Sequence, residues 1–138
     1  FIRKDGAAHA SKSKIVVWHA PRFSSGKHGN NTSMQPLWDA SRAVGARIVL
    51  NGHDHSYERF APMTSAGNRN DTSGTREFVS GLGGKSQYTF GTIKPNSQKR
   101  YNGQPAVLFL GLSTTTKSYS WNLRSVDGVV RDSGTQPG

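Results

Sequence analysis

Apolar residues occur along this chain in short runs, which polar and glycine-rich stretches separate. The first run, residues 14–19, is rich in β-branched side chains and predicts a buried strand. Apolar positions then recur at helical spacing over 34–44, where Ser33 can cap the helix, and 47–51 predicts a second strand. Because a crossover helix joins them, the two strands are expected to lie parallel and close together in one sheet.

The pattern changes after residue 55, where apolar runs follow one another with no helix pattern between them. These runs predict strands at 57–60, 77–80, 106–112, 119–126 and 129–132. The dipeptide Asp127-Gly128 predicts a hairpin turn between the last two strands. Stretches rich in Gly, Ser and Asn predict long loops at 62–75 and 83–104, and loops of this length often bind a ligand.

The expected fold class is therefore α/β, with one β-α-β unit followed by mostly antiparallel strands. A polar lead-in over 1–13, either loop or frayed helix, precedes the β-α-β unit at 14–60, and a β-rich part fills 61–138. The length of 138 residues corresponds to a single domain with one sizeable core.

Composition and charge restrict the function classes. The chain has no Cys, which excludes disulfide scaffolds, thiolate metal sites and cysteine nucleophiles. Its formal net charge of +10 favours anionic partners such as phosphate esters. The basic residues are spread evenly and do not alternate with aromatic ones, so no specific nucleic acid is expected as a partner. No apolar run is long enough to span a bilayer, and no membrane partner is expected.

Three histidines follow the ends of the two strands expected to be parallel. His19 ends the first strand, and His53 and His55 come directly after the second. The carboxyl ends of parallel neighbours lie at the same edge of a sheet, so these side chains are expected to meet there. If residues 52–55 are extended, His53 and His55 face one side, Asp54 points away, and Gly52 lets the backbone pass close to the site.

Neutral imidazoles bind Zn, Fe and Mn, so His19, His53 and His55 are predicted metal ligands. They could form one zinc site, or they could be shared between two metals with carboxylates as the remaining ligands. His28 lies in a glycine-rich loop, where it could be functional or simply exposed, and His9 is expected to be inert.

Other polar patterns have simpler interpretations. The stretch 81–86 lacks the first glycine of a phosphate-binding loop and is interpreted as a turn at a strand end. Ser24 and Ser25 lack the surroundings of a nucleophilic serine and predict a turn. Glu58 and Arg59 are expected to pair with each other or with a neighbour.

Two segments that contain the histidines, 17–29 and 51–60, resemble the last two motif blocks of calcineurin-like metallophosphoesterases. The pattern Gly-His-x-His-x-Tyr-Glu-Arg within 52–59 is distinctive of the purple acid phosphatase branch, and 78–84 and 119–121 resemble the C-terminal strands of that branch. The resemblance extends from about residue 14 onward. It implies the C-terminal half of a four-layer α/β/β/α sandwich.

The resemblance also implies a function, namely hydrolysis of phosphate monoesters by a binuclear centre in a secreted, acid phosphatase-like enzyme. Its two metal ions would be Fe together with Zn, Mn or a second Fe. His19 and His53 would bind one ion and His55 the other. His28 would act on the substrate side, where it binds the phosphoryl group or assists the leaving oxygen, and Gly29 stands where the branch often has a second His.

Earlier motifs of the family, Asp-x-His, Gly-Asp-x-x-(Tyr) and Gly-Asn-His, do not occur in this sequence. Three imidazoles alone do not neutralise two such ions. The expectation is therefore that an N-terminal half supplies the remaining ligands and that this chain by itself is inactive. A phosphodiesterase or nucleotidase of the same superfamily is the nearest alternative. A non-enzymatic basic module that binds polyanions is an alternative from another class, and metal analysis separates it from the enzymes.

Overall fold

The computed structural model describes residues 1–137, so Gly138 of the predicted β-rich part lies outside the described residues. Within that range the chain forms two helices and two sheets. In chain order the elements are α1 (Ile2–Ala8), β1 (Ile15–Val17), α2 (Gln35–Ala43), β2 (Ile48–Asn51), β3 (Tyr57–Phe60), β4 (Arg76–Ser80), β5 (Ser97–Tyr101), β6 (Ala106–Ser113), β7 (Ser118–Ser125) and β8 (Val130–Pro137). The expected α/β class is confirmed.

The first sheet has five strands in the order β1-β2-β4-β3-β5. β1 and β2 are parallel, with Ile15 opposite Ile48, which confirms the predicted β-α-β unit. β4 continues the parallel part beside β2, a pairing that the sequence pattern did not indicate. β3 then runs antiparallel between β4 and β5, and β6, β7 and β8 form a separate antiparallel sheet.

Helix α2 covers one face of the first sheet. A short 3-10 turn, Thr32–Met34, leads into it, and the side chain of Asn31 accepts a hydrogen bond from the Ser33 backbone N–H. The predicted cap by Ser33 is therefore wrong, because Ser33 lies inside that turn. The helix buries Trp38 completely and ends before Gly45, whose positive φ of 72° suits a glycine after a helix.

The polar lead-in contains more order than the expected loop or frayed helix. Helix α1 packs beside α2, and Gly6 is its buried residue. A Cβ atom at Gly6 would lie 2.5 Å from the Cβ of Val44. The glycine therefore lets the two helices approach closely.

Two apolar clusters hold the layers together. One lies between the two sheets and the other between the first sheet and α2. Neighbouring residues of β2 belong to different clusters, since Ile48 faces the second sheet and Val49 packs with Trp38. This is the two-residue alternation of a strand buried on both faces.

Strand β5 lies inside the stretch predicted as the long loop 83–104. Its residues are polar, and it pairs with β3 alone at the edge of the five-stranded sheet. An exposed edge strand needs no apolar alternation, so the sequence pattern did not reveal it. The predicted turn at Asp127-Gly128 is confirmed, with Gly128 at a φ of 81°. Neither helix described here has the length and apolar character needed to cross a bilayer.

Candidate functional site

The carboxyl ends of β1 and β2 bring histidines together as the topology requires. The backbone N–H of Gly52 donates to the carbonyl of His19 at 2.9 Å, which continues the parallel pairing past both strands. Nδ1 of His53 lies 3.2 Å from Nε2 of His19. The ring centroid of His28 lies 4.2 Å from that of His53. Three imidazoles from separate segments therefore meet at this edge of the sheet.

Residues 52–55 form tight turns, so the expectation that they are extended is wrong. The N–H of Asp54 donates to the Gly52 carbonyl at 2.7 Å, and His53 has a positive φ of 62°. A non-glycine residue in this conformation is strained, and such residues are concentrated at functional sites. The expected need for glycine at position 52 is also wrong, since a Cβ there would lie 4.0 Å from its nearest neighbour, the His19 ring.

His55 packs against the loop that follows β4. Its ring stacks on Tyr88 with centroids 4.1 Å apart and planes 17° apart. Nδ1 of His55 lies 3.0 Å from the Ser86 carbonyl oxygen. A carbonyl oxygen only accepts, so Nδ1 carries the proton and Nε2 keeps the lone pair that a metal requires. No sequence motif marked Tyr88, and Ser86 was noted only as the end of the stretch 81–86 that was interpreted as a turn.

His28 is held by Asp54. The carboxylate oxygen Oδ1 of Asp54 accepts from the His28 backbone N–H at 3.0 Å and lies 2.7 Å from Nδ1 of its ring. Asp54 is completely buried, whereas the His28 side chain is 42 % exposed. The Asp54 carboxylate therefore contacts the residue that the resemblance implies to act on substrate.

Three buried carboxylates hold the loop in which His28 lies. Glu77 on β4 accepts from the N–H groups of Arg22 and Phe23, and Glu58 on β3 accepts from the N–H and the hydroxyl of Ser25. Asp54 accepts from the Ser24 hydroxyl. Both serines thus donate to carboxylates within a structural turn, as predicted. Glu58 and Glu77, acidic residues next to aromatic and apolar residues in β3 and β4, were the sequence feature that could have revealed part of this arrangement.

Glu58 and Arg59 were expected to pair with each other or with a neighbour, and Arg59 pairs with a residue of the second sheet. Arg59 does not pair with Glu58; its Nε lies 2.7 Å from Oδ2 of Asp132 on β8. His9, expected to be inert, lies just after α1, where Nδ1 is 3.0 Å from the Asp5 carbonyl oxygen.

Burial and neighbouring charge act on the acid–base groups of the site. Burial, together with the nearby His28 and His19, lowers the pKa of His53, which favours the neutral imidazole that binds metals. Burial raises the pKa of Glu77 to about 8, although the N–H groups of Arg22 and Phe23 act in the opposite direction.

The facing nitrogens of His19 and His53 fit one metal ion. Two imidazole ligands of a tetrahedral zinc ion, each bound at 2.0–2.1 Å, have nitrogens roughly 3.3 Å apart. The observed 3.2 Å agrees with that spacing. Within residues 1–137, however, no three His, Cys, Asp or Glu side chains are grouped closely enough to hold one ion. The described residues therefore bring together two nitrogens at the spacing of metal ligands, without a complete ligand set.

Comparison with known proteins identifies the fold. No protein-family model matches the chain, and no curated protein is similar to it. Purple acid phosphatase PPD1 from yellow lupin (Lupinus luteus) seeds superimposes with a TM-score of 0.74 and 24 % identity, covering 98 % of this chain and 27 % of that protein. GAP50, the anchor in the inner membrane complex of Plasmodium, has a TM-score of 0.72 and 17 % identity, covering 98 % of this chain and 41 % of that protein.

The chain therefore spans 27 % and 41 % of the lengths of these two proteins. Both similarities in fold cover 98 % of this chain, including β1, β2 and the histidines that follow them. They therefore agree with the family resemblance noted in the sequence. This chain has the mixed α/β fold of a fragment of a metallophosphoesterase sandwich, similar to part of a purple acid phosphatase.

Proposed function

We propose that this chain is the C-terminal part of a two-metal phosphatase that hydrolyses phosphate monoesters. The observation that carries the proposal is the pair of facing nitrogens on His19 and His53, 3.2 Å apart, with the His28 ring beside them. The pair lies at the carboxyl edge of parallel strands, which is where open α/β sheets bind ligands. The similarity of fold to a purple acid phosphatase supports the same reaction class.

Each histidine has a separate task in this proposal. His19 and His53 hold one ion, and His55 offers Nε2 to the other because its Nδ1–H donates a hydrogen bond to the Ser86 carbonyl. When bound, a pair of ions such as Fe with Zn, Mn or Fe would activate a water molecule and withdraw charge from the phosphoryl group.

His28 acts on the substrate side. With Nδ1–H directed at Asp54, Nε2 remains for the substrate, and in the ring protonated on both nitrogens it would donate to a phosphoryl oxygen or give its proton to the leaving oxygen. Lys27 lies beside it, with Nζ 4.7 Å from the centre of the Tyr88 ring. Together with the net charge of +10, this lysine favours approach of a phosphate ester.

The remaining ligands are proposed to come from an N-terminal half that pairs with open sheet edges. Among residues 1–137, β1 pairs only with β2 and β6 pairs only with β7. An apolar groove of about 610 Å³ lies between these two edges and reaches His19. Val17 and Val107 on its walls are 67 % and 58 % exposed. Strands added here would cover this apolar surface and bring carboxylates next to the histidines.

A second candidate is a non-enzymatic module, which the similarity to GAP50, named as an anchor, favours. Such a module would use the basic surface to bind a polyanion and would need no metal. A phosphodiesterase or nucleotidase would keep the metal site and differ in the loops around it.

The test compares His53→Ala with His9→Ala, a matched change of a histidine outside the site. The longest protein that contains this chain is purified, and its metal content and its rate on p-nitrophenyl phosphate are measured together. We expect His53→Ala to lose both and His9→Ala to lose neither. Wild-type metal content and rate in His53→Ala would refute the ligand assignment. A metal-free wild-type protein that binds polyanions with steep salt dependence would support the non-enzymatic candidate instead.

A further inference from the structure

We propose that Asp54 is a positioning residue, whose carboxylate sets the orientation and the tautomer of the His28 ring. The contact is a property of the folded chain, whereas its effect on turnover rests on the proposed function. Asp54 accepts from both the backbone N–H and Nδ1 of His28, so it fixes the main chain and the ring of the same residue.

The surroundings of the Asp54 carboxylate determine which atom carries the proton. Its three hydrogen-bond partners are the N–H and Nδ1 of His28 and the hydroxyl of Ser24. The Ser24 oxygen already accepts from the Gly26 N–H at 2.9 Å, so its own proton is free to go to Asp54. A carboxylate surrounded by donors acts as an acceptor, which places the ring proton on Nδ1 and leaves Nε2 away from Asp54.

Close packing keeps Asp54 in this position. Asp54 is fully buried, and a Cβ at Gly26 would lie 2.5 Å from its Cγ atom. A Cβ at Gly81 would collide with the Asp54 carbonyl oxygen. Asp54 is thus tightly packed between two glycines, and the His28 side chain, which is 42 % exposed, contacts a fully buried carboxylate.

Glu58 provides a matched comparison within the same loop. It is also fully buried and holds the loop through Ser25, at 2.7 Å from the backbone N–H and 2.5 Å from the hydroxyl. It makes no hydrogen bond to the His28 ring among the contacts of the described residues. Changing Glu58 therefore disturbs the loop, whereas changing Asp54 disturbs the loop and the ring.

The first test is NMR of imidazole nitrogens in the ¹⁵N-labelled chain at mildly alkaline pH. We expect the wild-type His28 ring to carry its proton on Nδ1. Asp54→Ala should move the population towards the Nε2-protonated form, and Glu58→Gln should leave the wild-type pattern. Asp54→Asn keeps an acceptor oxygen, so it should retain most of the wild-type pattern. If Asp54→Ala does not fold, Asp54→Leu, which is similar in shape and has no acceptor, should give the same shift towards the Nε2-protonated form. A wild-type ring protonated on Nε2, or equal changes in Glu58→Gln and Asp54→Ala, would overturn the proposal.

The second test measures turnover in the longest protein that contains the chain. Asp54→Ala should lower kcat about ten- to a hundredfold with little change in KM, as for other residues that orient a functional side chain. In a His28→Ala background the same change should lower kcat much less, because the ring contact is gone and only the contacts of Asp54 with Ser24 and the backbone N–H of residue 28 remain to be lost. An equal loss in both backgrounds refutes positioning through His28. If His28→Ala alone is fully active, the proposed role of His28 in turnover is wrong. The NMR result still decides whether Asp54 sets the orientation and tautomer of the His28 ring.

Discussion

The stability of the packing between the two sheets should depend on the carboxylate of Asp132, and the substitution Asp132→Ala tests this. Asp132 on β8 accepts from the hydroxyl of Tyr57 at 2.7 Å and from Nε1 of Trp121 at 3.1 Å. It also pairs with Arg59, whose Nε and Nη2 lie 2.7 and 3.2 Å from its oxygens. Tyr57 and Arg59 belong to the first sheet, so the substitution removes polar contacts between the sheets and leaves four donor groups on three residues without this acceptor.

The expected cost follows from burial. Tyr57 is fully buried, and the side chains of Arg59 and Asp132 are 13 % and 7 % exposed. Removing one partner of a buried ion pair costs about 3–5 kcal/mol, most of it from the charge left unpaired. We therefore expect Asp132→Ala to lower the free energy of unfolding by about 3–5 kcal/mol. Asp132→Asn keeps the shape and one acceptor, so it should cost about 1–3 kcal/mol.

Urea unfolding followed by tryptophan fluorescence measures these changes, and Asp71→Ala is the control. Asp71 pairs with Arg69 at 2.8 Å, but both side chains are more than half exposed, so its removal should cost less than about 1 kcal/mol. If Asp132→Ala and Asp71→Ala differ by less than about 1 kcal/mol, the packing between the two sheets does not depend on Asp132 as argued.

The pH dependence gives an independent check of the same residue. Burial acts to raise the pKa of Asp132, but hydrogen bonds from Arg59 and Tyr57 outweigh it and hold the pKa below the ordinary value of 3.8. A lowered carboxyl pKa gives stability that is present above the unfolded value and is lost as the pH falls through the folded one. The stability difference between wild type and Asp132→Asn should therefore shrink below pH 3.8.

Two further predictions concern the loop that contains His28. Glu77, with a pKa raised from 4.5 to about 8, should stabilise the fold fully below pH 4.5 and progressively less as the pH rises to 8. The stability of wild type relative to Glu77→Gln should fall by up to roughly 1.4 kcal/mol per pH unit in that range. A rise of that stability with pH would show that the two N–H donors lower the pKa of Glu77 more than burial raises it. Gly26→Ala should cost about 1–3 kcal/mol in urea unfolding because its Cβ meets Asp54, whereas Gly83→Ala, whose Cβ meets no atom within 4 Å, should change stability by less than about 0.5 kcal/mol. Equal effects of the two glycine changes would show that Asp54 is not held tightly.

The placement of His19 and His53 was predictable because it follows from connectivity. Two strands joined by a crossover helix pair in parallel, so residues just after each strand lie at one edge whatever the detailed backbone is. The local conformation of His53 and the contacts of His55 were not predictable in this way. They involve the positive φ of His53 and the stacking of His55 on Tyr88, 33 positions further along the chain, and no local pattern encodes either feature.

The amino-acid sequence alone determined the α/β class, the β-α-β unit, the final hairpin and the histidines at the strand ends, because each depends on local periodicity or on chain connectivity. Only the tertiary structure decided that β4 joins the parallel strands, that polar β5 forms an edge, and that Asp54, Glu58 and Glu77 hold the loop of His28. These features depend on which buried donors meet which buried carboxylates between segments far apart in the chain. Burying a donor and a carboxylate costs little free energy only when the two bond to each other as both leave water. Packing in three dimensions therefore decides which groups pair.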